Sequence, residues 1–264
     1  MTTQETTLTA GDAEVTVAPG NGCRISSLKI AGTELLRQGE RYGCFPMVPW
    51  CGRIADGRFR DGPHVHQMPL NSPPHAIHGF ARDAEWTTAR ASATEAAFTY
   101  DLTEPWPYPG RVTHVVALTE DSLTLTLGIE TYGDSFPAQA GWHPWFNRKL
   151  SEAGSGVELA FDAAWQEERG EDHLPTGNRI APRPGPWDDC FGMPDGVDVT
   201  LTWPGELAVH VKSREQWVVV YDEQEAAVCA EPQTGPPNGL NTAPRLVTPV
   251  DPLEASTTWT WQRP

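Results

Sequence analysis

Apolar and polar residues change places at every second position along much of the chain. Leu123, Leu125, Leu127 and Ile129 alternate with Thr124, Thr126 and Gly128, the pattern of a strand with one buried face. Leu207, Val209 and Val211 alternate with Ala208, His210 and Lys212, and Trp217, Val219 and Tyr221 are interleaved with Val218 and Val220. Val112 to Leu118 and Thr257 to Trp261 predict two more strands. Glu14 to Val17 and Arg24 to Ile30 predict a pair around the turn cluster Pro19-Gly-Asn-Gly22. No window of a dozen residues keeps apolar positions at helical spacing without a Pro or Gly inside it. Many short strands separated by turn signals predict an all-β, antiparallel sandwich or barrel, read as one domain over residues 1–264. The stretch from Gly170 to Gly196, with Pro175, Pro182, Pro184, Pro186 and Pro194, is expected to be a long loop.

Composition narrows the classes. The chain has 264 residues, 24 of them Gly and 25 Pro, too many for a helical protein. Hydrophobic content of 39% with 11 Trp and 8 Phe can build a core, which argues against disorder. No apolar run approaches the length needed to cross a bilayer, so no membrane association is expected. Met1-Thr-Thr-Gln-Glu5 lacks the basic start and apolar stretch of a signal peptide. The net charge of −16 disfavours nucleic acid as a partner. Cys23, Cys44, Cys51, Cys190 and Cys229 are odd in number and scattered, and are read as reduced, buried thiols of a cytoplasmic protein rather than metal ligands. A monomer or weak homodimer is expected.

Four polar clusters stand among aromatic and turn residues. Arg53, in Pro49-Trp-Cys-Gly-Arg-Ile-Ala-Asp-Gly57, could be aimed into a pocket by a backbone bend, although a surface ion pair is the simpler reading of that segment alone. His78, before Gly79, suits a turn that presents an imidazole. His143, in Ala140-Gly-Trp-His-Pro-Trp-Phe146, precedes a proline that restricts its backbone to extended conformations. The aromatic residues around it suit either a sugar-binding pocket or a packed core corner. Glu231, in Cys229-Ala-Glu-Pro-Gln-Thr-Gly235, sits where a general base or a loop-stabilising acceptor would fit. His64-Val-His66 lacks the nearby carboxylate of a cupin metal site, and neither a phosphate-binding glycine loop nor Gly-x-Ser-x-Gly occurs in a fitting context.

Taken in order, Pro49…Arg53-Ile54, His78-Gly79, Gly141-Trp-His-Pro-Trp-Phe146, Asp188-Asp-Cys-Phe191 and Glu231-Pro-Gln-Thr-Gly235 resemble the aldose 1-epimerase (galactose mutarotase) family. The resemblance runs from about Asn21 to the C-terminus and implies a large β-sandwich of the galactose mutarotase-like supersandwich type. It implies His143 as general acid and Glu231 as general base. Arg53 and His78 would hold ring and hydroxyl oxygens, and Asp188, or its neighbour Asp189, would bind hydroxyls. Trp142 and Gln233, inside the motifs, are expected to contact the sugar too. The family often has Asn before the Arg-Ile pair, where this chain has Gly52.

The implied activity is exchange of the α and β anomers of a free aldose such as glucose or galactose. It needs neither metal nor other cofactor. It also sets a condition: His143 should hold a proton while Glu231 is ionised, and a neighbouring carboxylate would raise the histidine pKa. The alternatives are a mutarotase for a phosphorylated or sulfonated hexose, drawing on Arg53, Arg58, Arg60, Arg82, Arg148 and Lys149, and a non-catalytic sugar-binding module. A glycosidase built on Asp188 and Glu231 would leave His143 without a role.

Overall fold

The computed structural model describes residues 4–263; Met1 to Thr3, at the start of the segment read for a signal peptide, and Pro264 lie outside it. Two antiparallel sheets face each other across one continuous apolar core. The larger runs in the order Thr6–Ala10, Ala13–Ala18, Arg24–Ile30, Cys44–Met47, Gly141–Pro144, Ala227–Gln233, Trp217–Tyr221, Asp188–Gly192, Trp165–Arg169, Pro175–Ile180. The smaller runs Thr87–Ala91, Glu95–Leu102, Gly110–Leu118, Ser122–Thr131, Leu253–Gln262, Leu207–Ser213, Val197–Trp203, Glu158–Phe161. At the centre of the larger sheet the neighbours Cys44–Met47, Gly141–Pro144 and Ala227–Gln233 are distant in sequence, so motifs nearly 200 residues apart meet there.

The period-two stretches form the predicted strands. Ser122–Thr131 buries Leu123, Leu125, Leu127 and Ile129 completely, and Leu207–Ser213 buries Leu207, Val209 and Val211. Helix is confined, among the described residues, to Gly239–Thr242 and three short 3-10 turns. The five cysteines are free and buried. The expected loop from Gly170 to Gly196 is corrected: it contains the strands Pro175–Ile180 and Asp188–Gly192. Pro175 opens an outermost strand, where a missing N–H breaks no ladder, and the other prolines lie in the connections.

A buried histidine is among the polar contacts that tie the two sheets together. His114, fully buried on Gly110–Leu118, accepts a hydrogen bond at Nε2 from the Trp142 indole N–H of the larger sheet, at 3.2 Å. Its Nδ1 must then carry the proton and faces the Cys23 thiol at 3.4 Å. This imidazole is neutral, and burial lowers its pKa to about 3.

An unfolded histidine titrates near pH 6.5, so this group contributes stability above that pH and loses it as pH falls towards 3. Denaturant melts at several pH values should therefore show stability declining below about pH 6.5. His114→Gln should flatten that decline while lowering stability at pH 8 by roughly 1 kcal/mol. An unchanged pH dependence in the variant would show that His114 does not contribute to it.

Candidate active site

Strand Ala227–Gln233 crosses the middle of the larger sheet with every residue buried. It pairs with Gly141 through Gln233, and with Phe146 and Asn147 through Val228 and Ala227. Both pairings keep the same antiparallel register, and counting inward from either end sets His143 opposite Glu231. Their side chains meet with Nε2 and Oε1 3.4 Å apart. Gly141 permits this approach: a Cβ there would lie 2.7 Å from Gln233 Cβ and 2.8 Å from the Pro232 carbonyl oxygen.

Stacking holds the imidazole plane. The His143 ring lies between Phe45 and Trp145, each stacked on it with centroids 4.7 Å away. His78 meets it edge-on at 5.1 Å. Arg24 and Arg82 lie over the Phe45 ring at 4.8 and 5.5 Å. The expectation that Trp142 contacts a sugar is corrected, because its indole points into the core towards His114. Alternation along the strand explains this: His143 and Trp145 share one face, Trp142 takes the other, and Trp145 is the indole that lines the pocket.

Burial dominates the electrostatics. It lowers the His143 pKa to about 3, with Arg82 and Arg24 acting in the same direction. It also raises the Glu231 carboxyl well above the usual carboxylate range, and Asp188 adds to that. These shifts run against the expected resting state of a charged imidazole beside a carboxylate. Burial works against charge on either group and so favours one proton shared between two neutral partners. Burial, His143, Arg82 and Arg53 likewise keep the His78 pKa well below its ordinary value.

The pair opens into a pocket of about 270 Å³ whose walls include Arg53, His78, Trp145, Asp188, Asp189 and Tyr221. Arg53 forms no ion pair or side-chain hydrogen bond with any described residue, so its donors are free for a ligand. His78 reaches the pocket from a left-handed backbone conformation, φ 62°, with its amide N–H donating to the Gly52 carbonyl. Asp188 is less free: Arg169 donates to its Oδ2 at 2.8 Å, and His173 Nδ1 lies 3.4 Å from the same oxygen. Asp189 stands 3.5 Å from Arg169 Nε. Gln233, expected to contact sugar, is fully buried outside the pocket walls, with the Cys190 thiol beside it and no other partner for its amide. The sequence reading missed Arg169, His173 and Glu167, which sit in the stretch taken for loop or just before it. The run Trp165-Gln-Glu-Glu-Arg169 had no alternation to mark it as a strand.

A family model described as aldose 1-epimerase matches residues 4–249. The chain belongs to the aldose 1-epimerase family. The uncharacterised protein YphB of Escherichia coli K12 is 29% identical to it over 213 residues, covering 75% of this chain and 70% of YphB. The fold is shared with a galactose mutarotase-like protein from Clostridium acetobutylicum, with a TM-score of 0.88 at 18% identity over 98% of this chain and 95% of that one. It is also shared with a candidate aldose 1-epimerase from E. coli K12, with a TM-score of 0.87 at 20% identity over 99% of both chains.

Gly52 departs from the family pattern for a visible reason. Its φ is +61°, and a Cβ would lie 2.9 Å from Cβ of Pro237, which also lines the pocket. Gly52→Asn should therefore lower stability by roughly 1–3 kcal/mol in urea unfolding, through crowding of Pro237. Unchanged stability would show that this wall yields freely.

Proposed function

We propose that this epimerase family member is a mutarotase that interconverts the α and β anomers of a neutral, free aldose. The observation that carries the reading is the buried His143–Glu231 pair, 3.4 Å apart and opening into a pocket of monosaccharide scale. Ring opening removes a proton from O1 and adds one to the ring oxygen. An acid and a base that together hold one proton can do both and finish unchanged. Hydroxyl donors of a bound sugar, with Arg53 beside them, favour the ionised carboxylate. The carboxyl proton then passes to His143 across the 3.4 Å contact. Glu231 takes the O1 proton and His143 gives one to the ring oxygen. After rotation about C1–C2, the steps reverse on the other face of the aldehyde. Trp145 offers an indole face to sugar C–H groups, and Arg53, His78 and Asp188 offer polar contacts for oxygens.

The wall charges favour a neutral substrate over an anionic one. Four carboxyl groups, of Glu167, Asp188, Asp189 and Glu231, line the pocket against the guanidinium groups of Arg53 and Arg169. Arg169 is already held by Asp188 and Asp189. The other cations considered for an anionic sugar lie off the pocket walls: Arg148 donates to the Asp222 and Gln224 carbonyls, and Arg58 to Gln67.

Polarimetric relaxation of freshly dissolved α-glucose or α-galactose tests the reading. Glu231→Gln and His143→Asn should each slow it by roughly 10²-fold or more with the fold retained, as judged by circular dichroism. Near-normal rates in either variant would remove that residue from the mechanism, and sugar binding without acceleration by the native protein would favour a binding module. Glucose 6-phosphate should relax more slowly than glucose at equal concentration. The pH profile of kcat/KM follows from the one-proton pair. The acid limb should fall near pH 3, where His143 takes a second proton, rather than near 6.5. The alkaline limb marks loss of the pair's proton and should lie above the usual carboxylate range. An acid limb centred near 6.5 would contradict a neutral resting imidazole.

A further inference from the structure

Cys229 lies two positions before Glu231 on the same strand, so both side chains turn to the same face. A His143 ring nitrogen, Cys229 Sγ and a Glu231 carboxylate oxygen form a buried group of potential ligand atoms, all within 4.8 Å of one another. Three atoms no farther apart than this leave some point within about 2.8 Å of each. Bonds to zinc are about 2.0 Å from nitrogen or oxygen and about 2.3 Å from sulfur, so shifts of some tenths of an ångström close the cluster on an ion.

We propose that His143, Cys229 and Glu231 bind a thiophilic divalent cation such as zinc, and that the bound ion occupies the groups needed for turnover. The site is inhibitory, not a resident cofactor site. Nitrogen, sulfur and oxygen donors with one position left open suit zinc and its soft analogues. His143 and Glu231 line the pocket, which supplies the entry path. Charge also balances: a dication with one thiolate, one carboxylate and one neutral imidazole makes a neutral complex, which a buried site tolerates. A thiol that binds as thiolate gives up its proton, so ligation by Cys229 should release one. Metal ligation rests on this geometry alone; inhibition rests also on the proposed mutarotase activity.

Titration of the full chain with Co²⁺, followed by absorbance, should give a thiolate-to-cobalt charge-transfer band that Zn²⁺ removes. Cys229→Ser should abolish the band and weaken Zn²⁺ binding roughly tenfold or more, whereas Cys44→Ser should keep both. Calorimetry of the native protein in two buffers of different ionisation enthalpy should show about one to two protons released per Zn²⁺. Absence of the band from the native protein, its persistence in Cys229→Ser, or binding without proton release would each overturn the site. If Cys229→Ser does not fold, the native band and proton release decide. Zn²⁺ should also slow anomer exchange. A cobalt band in a protein that relaxes no aldose would refute the activity while leaving the metal site standing.

Discussion

An imidazole and a carboxyl group buried side by side are stable only while their combined charge stays close to zero. That constraint on His143 and Glu231 organises the centre of the larger sheet. Burial acts against charge on either group, raising the carboxyl pKa and lowering the imidazole pKa, so one proton serves both. A pair poised in this way needs an incoming set of hydroxyl donors before it separates charge. The catalytic form proposed above is thus assembled with the substrate. The resting form is the one the apolar surroundings prefer.

The rest of the scaffold fixes the geometry of that pair. A shared register on both sides of the ladder gap brings His143 opposite Glu231, and the absence of a side chain at Gly141 lets the strands approach there. Phe45 and Trp145 limit rotation of the imidazole from its two faces. The residue before the imidazole, Trp142, turns to the other side and ties the sheet to His114. Adjacent residues on one short strand therefore do opposite work: Trp142 anchors the strand to the opposing sheet, while His143 faces the pocket. A histidine appears on each side of this arrangement, and both are neutral for the same reason, loss of water around the ring.

Strand alternation made the fold class legible, because half-buried strands write their burial into every second residue. Ser122–Thr131 and Leu207–Ser213 are examples. The family resemblance carried His143, Glu231, Arg53, His78 and Asp188, which the fold gathers around one pocket. What escaped the sequence reading depended on face and on distance. Trp142 and Trp145 are the same residue type in one motif, and only the parity relative to His143 tells which one sees the pocket. Gln233 shares its parity with Glu231 but lies beyond the pocket, packed near Gly141 and Cys190. Arg169 ends a strand without alternation, and His173 sits in the turn that leads to an outer strand of which little is buried. The protonation of the pair was invisible for a different reason. A neighbouring carboxylate raises a histidine pKa in water, whereas burial and the nearby Arg82 and Arg24 push that of His143 down.

The two sides of the pocket differ in how their charges are used. Asp188 and Asp189 are committed to Arg169, with His173 adding to the contact on Asp188, so that wall is largely compensated within the protein. Arg53 has no such partner among the described residues, and it shares the pocket with the neutral His143–Glu231 pair. A glycosidase reading requires Asp188 and Glu231 to act as facing carboxyl groups. The arginine clamp on Asp188 and the imidazole beside Glu231 instead give the two carboxyl groups unequal surroundings. One is held by a cation as a fixed acceptor; the other is left to exchange a proton with its neighbour. That inequality fits proton exchange with O1 and the ring oxygen of one anomeric carbon better than attack by two facing carboxyl groups on a glycosidic bond. It also explains how a chain of net charge −16 can present a free guanidinium to a ligand: the acidic groups close to the pocket are either protonated or already paired.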